Sequence, residues 1–167
     1  KLLFLSGNNE FNQNGIKWFL NEVFPSIRKS IPDVELLVGG GICKVLPSLG
    51  KIEGVSAMGY IDNPAEFYAK ADVAINPVFQ GTGLKIKTFE AISFDKVTLV
   101  HPHSMAGVFR KEDTPLFASD KPEAWVAFLK KIWGNPDAVN VIKQKNKEYL
   151  QAMNEFIIGE YIRFLKN

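Results

Sequence analysis

One stretch of the sequence concentrates the residue types that hold anions: Gly81-Thr82-Gly83-Leu84-Lys85-Ile86-Lys87-Thr88-Phe89-Glu90. A β-branched run at 73–76, closed by Pro77, leads into it, and a helix-period pattern follows through Ser93. Two glycines allow the backbone to come close to a ligand. The first amides of the helix point outward as donors, and the partial positive charge there favours a phosphate. Thr82 adds a hydroxyl, and Lys85 and Lys87 add cationic heads near the same helix start. Glu90 lies about two turns into the helix. A carboxylate offers only acceptors, so paired hydroxyls such as those of a ribose would suit it. On residue types alone a plain glycine-rich turn and a surface carboxylate stay open, because short glycine motifs recur without ligands.

The elements that must position these groups alternate in type. Strand-like runs at 1–6, 34–38, 55–58, 73–76, 97–100 and 116–118 are separated by helix-period segments. The segment 16–29 carries Ile16, Phe19, Leu20, Val23 and Ile27 on one face, and Pro25 is expected to bend or divide it. A short helical piece is expected at 45–49. Asn63-Pro64 marks a capped helix start, and Asp120 with Pro122 marks another, whose helix ends at Gly134-Asn135-Pro136. Two further helical stretches fill the remainder. This alternation predicts a Rossmann-like, doubly wound α/β domain of about six mostly parallel strands with helices on both faces. Residues 1–167 form a single domain on this reading. Ligands of such sheets sit beyond the carboxyl ends of the strands, which singles out loops 7–14, 39–42 and 78–87.

Composition bounds the function. With 167 residues, 46% of them hydrophobic and including 13 Phe and 3 Trp, the chain has the size and core of one globular domain. A net charge of +2, and lysines 143, 145 and 147 spread around a helix, argue against a nucleic-acid binder. No run reaches the roughly 18 apolar residues of a membrane span. The lone Cys43 excludes an internal disulfide and fits a reducing compartment, so a cytoplasmic location is the expectation. One Cys and two His in a single loop do not make a tetrahedral zinc set, so no metal site is assigned. Gly39-Gly40-Gly41 is not a dinucleotide fingerprint, and neither a Walker pattern nor a Gly-x-Ser-x-Gly elbow occurs. Phe156, Ile157, Tyr161, Ile162, Phe164 and Leu165 make the last helix more apolar than one face requires, and packing into the domain's own core is expected. The chain opens on Leu2-Leu3-Phe4-Leu5 without an initiator Met, as a piece of a longer protein would.

Four phrases in order carry a family resemblance. They are the opening strand-loop-helix 1–24, the strand and glycine loop 34–41, Gly59-Tyr60-Ile61-Asp62 with Ala65-Glu66-Phe67-Tyr68-Ala69-Lys70-Ala71-Asp72, and Gly81 to Ala91. Together they resemble the C-terminal domain of retaining glycosyltransferases of family 4, which have the GT-B architecture, and the match runs to about Asn135. The resemblance implies a donor site for a nucleotide diphosphate sugar of UDP or GDP type, with no cofactor. Glu90 corresponds to the second Glu of the family's E-x7-E motif and would contact the donor ribose. Gly83 and Leu84 would offer amides to the diphosphate, Gly7 and Gly40 would line the site, and Tyr60 or Ile61 would edge the base.

Three departures accompany it. Thr82 stands where the first Glu of that motif falls, beside the donor sugar. Asn8 and Asn14 stand where many relatives carry an Arg and a Lys that hold the diphosphate. Asparagine can bond a phosphate oxygen but not neutralise it, which makes Lys85 the natural substitute cation. His101-Pro102-His103-Ser104 replaces small residues; its histidines either touch phosphate or sugar or lie on the surface.

The expectation is therefore the donor-binding domain of a hexosyltransferase, with Lys85 and Glu90 in the catalytic roles. Acceptor groups for a glycan or lipid would come from an N-terminal domain, so this chain alone would be an incomplete catalyst. The last helices would pack toward that domain, and the full-length protein could touch a membrane peripherally. A non-catalytic nucleotide- or partner-binding module and a GT-B sugar-nucleotide epimerase are the alternatives.

Overall fold

The computed structural model describes residues 1–49 and 51–166. Its strands are β1 (Leu2–Leu5), β2 (Leu36–Gly39), β3 (Val55–Gly59), β4 (Val73–Asn76), β5 (Val97–Val100) and β6 (Phe117–Ala118). They form one sheet in the order β3-β2-β1-β4-β5-β6, and every neighbouring pair is parallel. The chain winds outward from β1 to β3, then returns across the middle to begin β4. That reversal opens a crevice between the carboxyl ends of β1 and β4.

The inner strands are apolar at successive positions because both faces are covered. Leu2 and Phe4 of β1, with Leu36 and Val38 of β2, point into the larger core. There they meet α1 (Glu10–Trp18), α2 (Phe24–Ser30) and α5 (Pro122–Ile132) through Ile16, Ile27 and the fully buried Trp125. Leu3, Leu37 and Ala74 face the other way, onto Phe67 and Tyr68 of α3 (Pro64–Tyr68) and Ala91 of α4 (Ile86–Ser93). Ile92 of α4 then packs with Tyr149 of α6 (Pro136–Leu165).

Five local expectations are revised or sharpened. The loop expected at 7–14 is shorter, because α1 already starts at Glu10; Asn9 caps it by accepting the Asn12 N–H at 2.9 Å. Pro25 does divide its helix: a π-helical turn, Phe19–Val23, separates α1 from α2, and Pro25 sits in the first turn of α2. Asp120 does not cap α5: Lys121 holds the N-cap position with no side-chain cap bond among the described residues, and Ser119 Oγ accepts the Lys121 N–H at 3.1 Å in the turn before the helix. The two final helical stretches are one 30-residue helix. Its last turns do not enter the core: Ile158, Tyr161, Ile162, Phe164 and Leu165 are all exposed, Phe164 at 76%. Elsewhere, Asn63 caps α3 as expected, accepting the Ala65 N–H at 3.1 Å ahead of Pro64.

Candidate functional site

The loops after β1 and β2 are locked together at the crevice. Ser6 donates its N–H to Gly39 O at 3.0 Å, and Ser6 O accepts from Ile42 N at 3.2 Å. Gly40 sits at φ +89°, and a Cβ there would lie 2.4 Å from Ser6 O. Only glycine permits that approach. Gly40 N–H in turn reaches Gly59 O at 2.6 Å, which laces β3 into the same rim. Asn8 and Asn14 are both occupied: Asn8 Oδ1 accepts from Gln13 Nε2, and Asn14 Nδ2 donates to Gln80 Oε1, each at 2.9 Å. Asn14 thereby ties α1 to the loop after β4.

That second loop is held from three sides. Gly15 of α1 lets Pro77 approach, since a Cβ there would stand 3.0 Å from Pro77 O. Ser104 Oγ donates to Val78 O at 2.8 Å, and His103 Nε2 lies 2.7 Å from Gly81 O. A carbonyl can only accept, so that nitrogen carries the proton. His101 accepts the His103 N–H on Nδ1 and packs edge-on to Trp18 at 5.4 Å. Burial lowers its pKa, with His103 adding to the shift and Asp120 opposing it. The histidine loop therefore serves as a buttress. Lys85 folds back over its own loop, donating to the carbonyls of Gly81, Thr82 and Gly83 at 3.1–3.3 Å. Thr82, Gly83 and Leu84 are exposed, and Gly83 at φ +78° has open space around it.

Between the loops after β1 and β2 and the helix α4 lies an open cleft of about 410 Å³, lined by Leu5, Ser6, Gly7, Asn9, Asn12, Gly40, Lys87 and Glu90. Lys87 and Glu90 enter it from α4, three residues apart and hence on one face. Lys87 Nζ donates to Ser6 Oγ at 2.9 Å and Asn12 Oδ1 at 2.5 Å, and stands 5.3 Å from the Phe4 ring centroid. Burial first, then the Lys85 charge, push its pKa down to about 8. Glu90 lies beside the Tyr68 hydroxyl; burial and the Glu90 carboxylate raise that phenol's pKa, so it stays a donor. Beneath α4, Asn76 Nδ2 donates to Thr88 Oγ1 at 2.8 Å, while Asn76 Oδ1 is buried without a partner among the described residues.

Of the residues singled out from the sequence, Gly7, Gly40 and Glu90 line this cleft. Thr82, Gly83, Leu84 and Lys85 form the neighbouring loop. Ile61 packs over Gly39 and against Phe67, whereas Tyr60 is 83% exposed outside the cleft. Sequence reasoning missed Ser6 and Asn12 as lining residues and noted Lys87 only as a nearby charge. The three-residue spacing from Lys87 to Glu90 was the available signal.

Comparisons with known proteins bear on the family and the fold. The sequence model of the family described as glycosyl transferases group 1 matches residues 1–135. A 44.6 kDa protein encoded in the cps region of Klebsiella pneumoniae is 31% identical over 90 residues, covering 48% of this chain and 23% of that protein. Among solved structures, TarM superposes with a TM-score of 0.76 at 12% identity, over 99% of this chain and 35% of TarM. Anabaena HepE in complex with UDP gives 0.65 at 11%, over 95% of this chain and 48% of that one. WaaG, a glycosyltransferase involved in lipopolysaccharide biosynthesis, gives 0.65 at 17%, over 89% and 42%. The chain thus spans less than half the length of each. Its architecture is the Rossmann-like C-terminal half of a GT-B protein, and the chain belongs to the glycosyl transferases group 1 family.

Proposed function

We propose that this chain is the donor-binding domain of a retaining hexosyltransferase, which moves a sugar from a nucleotide diphosphate sugar to a glycan or lipid acceptor. The observation that carries the reading is the cleft itself. Glu90 and the start of α4 face the ends of β1 and β2 across it, beside the point where the strand order reverses. Glu90 accepts the ribose hydroxyls, with the Tyr68 hydroxyl steadying its carboxylate. The amides of Gly83 and Leu84 face the diphosphate, and Lys85 curls their loop and adds positive potential at its rim. As the glycosidic bond breaks, these fixed dipoles and cations stabilise the charge collecting on the leaving diphosphate. HepE bound to UDP supports the donor class.

Acceptor groups come from the part of the protein N-terminal to this chain, and the exposed end of α6 packs against that part. WaaG, involved in lipopolysaccharide biosynthesis, supports polysaccharide or glycoconjugate synthesis as the setting.

Titration calorimetry of the full-length protein with UDP, GDP and their hexose conjugates tests this. Micromolar to millimolar binding that Glu90→Ala weakens about tenfold is expected for one lost hydroxyl-carboxylate contact. Absence of any binding at millimolar nucleotide would favour a non-catalytic module instead. That reading draws on the internal use of the Asn8 and Asn14 amides and on Thr82 at the sugar-side position.

A further inference from the structure

We propose that Lys87 supplies the cation that receives the donor's diphosphate, in a seat built by Ser6, Asn12 and Phe4. The inference deepens the donor-site reading and rests on it.

The geometry of the seat comes first. An ammonium carries three N–H donors. Two of those on Lys87 are taken by Ser6 Oγ and Asn12 Oδ1, and among the described residues no acceptor takes the third. Both partners are themselves fixed. Asn12 Nδ2 donates to Gly7 O at 3.0 Å, which orients its amide so that the oxygen faces Lys87. Ser6 is bonded through its backbone to Gly39 and Ile42. The Phe4 ring lies against the head at cation–π distance. Ser6 and Asn12 are both more than nine-tenths buried, so the charge is held at the floor of the cleft rather than swung from its rim.

Charge placement comes second. Lys87 and Glu90 share the cleft and a helix face, yet no ion pair joins them among the described residues. A structural lysine beside a carboxylate would normally neutralise it. Here the two signs stay separate, which matches a ligand with an anionic middle and a hydroxyl-bearing sugar. The alternative cation, Lys85, spends its head on three carbonyls of its own loop. The loop after β1 offers only neutral groups to the cleft, namely Ser6, Gly7 and Asn9. Lys87 is therefore the cation that the cleft wall presents.

A pH signature follows. With its pKa near 8 in the free protein, Lys87 loses its proton as pH rises past that value, and the diphosphate loses its counter-charge. Among the described residues, Lys85 at the N-cap of α4, Glu90 of α4 and Tyr68 of α3 beside Glu90 are the titratable groups of this region; α1 and the loop after β1 face Lys87 with the Asn12 amide and the Ser6 hydroxyl. A bound diphosphate raises the lysine's pKa, so nucleotide affinity falls as pH climbs from 8 toward 9.

The test uses the full-length protein and measures binding of UDP, GDP, uridine and guanosine by calorimetry. Lys87→Met should weaken whichever diphosphate binds by about 10- to 100-fold, the range for a charge-assisted bond to phosphate. It should leave the matching nucleoside unchanged. Lys85→Met should have the smaller effect. Lys87→Arg keeps a permanent charge and should flatten the decline between pH 8 and 9, which also controls for titration of the nucleotide. Circular dichroism of each variant establishes that it is folded; if Lys87→Met does not fold, the Arg pH profile decides. Equal diphosphate affinity in wild type and Lys87→Met, or an Arg profile as steep as wild type, overturns the assignment while leaving the donor site standing. No diphosphate binding by the wild type overturns both.

Discussion

At the scale of residues, the site is governed by which polar groups are already engaged. Asn8, Asn14, His103 and Lys85 all have partners within the protein, so their side chains act as struts. Glu90 and Lys87 are the ones delivered to the cleft. The Tyr68 phenol, with its pKa raised, remains protonated at neutral pH and can donate to Glu90. Replacing Tyr68 by Phe should therefore weaken nucleotide binding only a few-fold, because one neutral hydrogen bond is worth about 1 kcal/mol. Calorimetry against Glu90→Ala checks the order: a Tyr68→Phe loss as large as the Ala loss would mean that Glu90 is not the ribose acceptor. Glu90 was legible from its place after the glycine turn. Lys87 was harder to separate from Lys85, because alternate lysines at a helix start look equivalent until the backbone shows one curling back and the other pointing in.

At the scale of elements, the rim depends on backbone approach that only glycine allows. Gly40→Ala would place a methyl 2.4 Å from Ser6 O at a positive φ, so either β2 or the β1 loop must move. We expect a loss of about 2–4 kcal/mol in urea unfolding, combining backbone strain with the lost close contact. Gly159→Ala in α6 is the control. It has nothing within 4 Å and helical neighbours, so it should be neutral or stabilising by up to about 1 kcal/mol. Thr88→Val tests the floor under α4. It strands the Asn76 amide, whose oxygen already lacks a partner among the described residues, and should cost about 1–3 kcal/mol. The strands were legible because buried parallel strands read as unbroken apolar runs, as Leu2 to Leu5 and Leu36 to Val38 do. The start of α1 was not. Its first turn, Glu10-Phe11-Asn12-Gln13-Asn14, has the composition of a loop, and what makes it helical is the Asn9 cap and the anchorage of Asn12 and Asn14 to neighbouring segments.

At the scale of the whole molecule, the end of α6 is the feature the domain's own core does not explain. The excess of apolar residues was legible in the sequence, but its direction was not, because a wide apolar arc fits a core and an interface equally well. In the structure Phe156 touches the domain, its ring 5.0 Å from Phe109, while Ile158, Ile162 and Leu165 project from the far side of the helix. The polar arc carries Glu155 and Glu160 against Arg163 and Lys166, a balance that gives no pull toward an anionic lipid surface. On the function proposed above, a protein surface N-terminal to this chain is the cover this face suits. Replacing Ile158, Ile162 and Leu165 together by Lys should shift the unfolding free energy of the isolated domain by no more than about 0.5 kcal/mol, since exposed side chains contribute little to it. In the full-length protein the same triple variant should lower the thermal midpoint of the interdomain transition and reduce sugar transfer. Scanning calorimetry of both forms checks this: an isolated domain that unfolds several degrees earlier would show that the stripe belongs to the domain's own fold. A full-length protein indifferent to the change would show that the stripe is covered by nothing in the same chain.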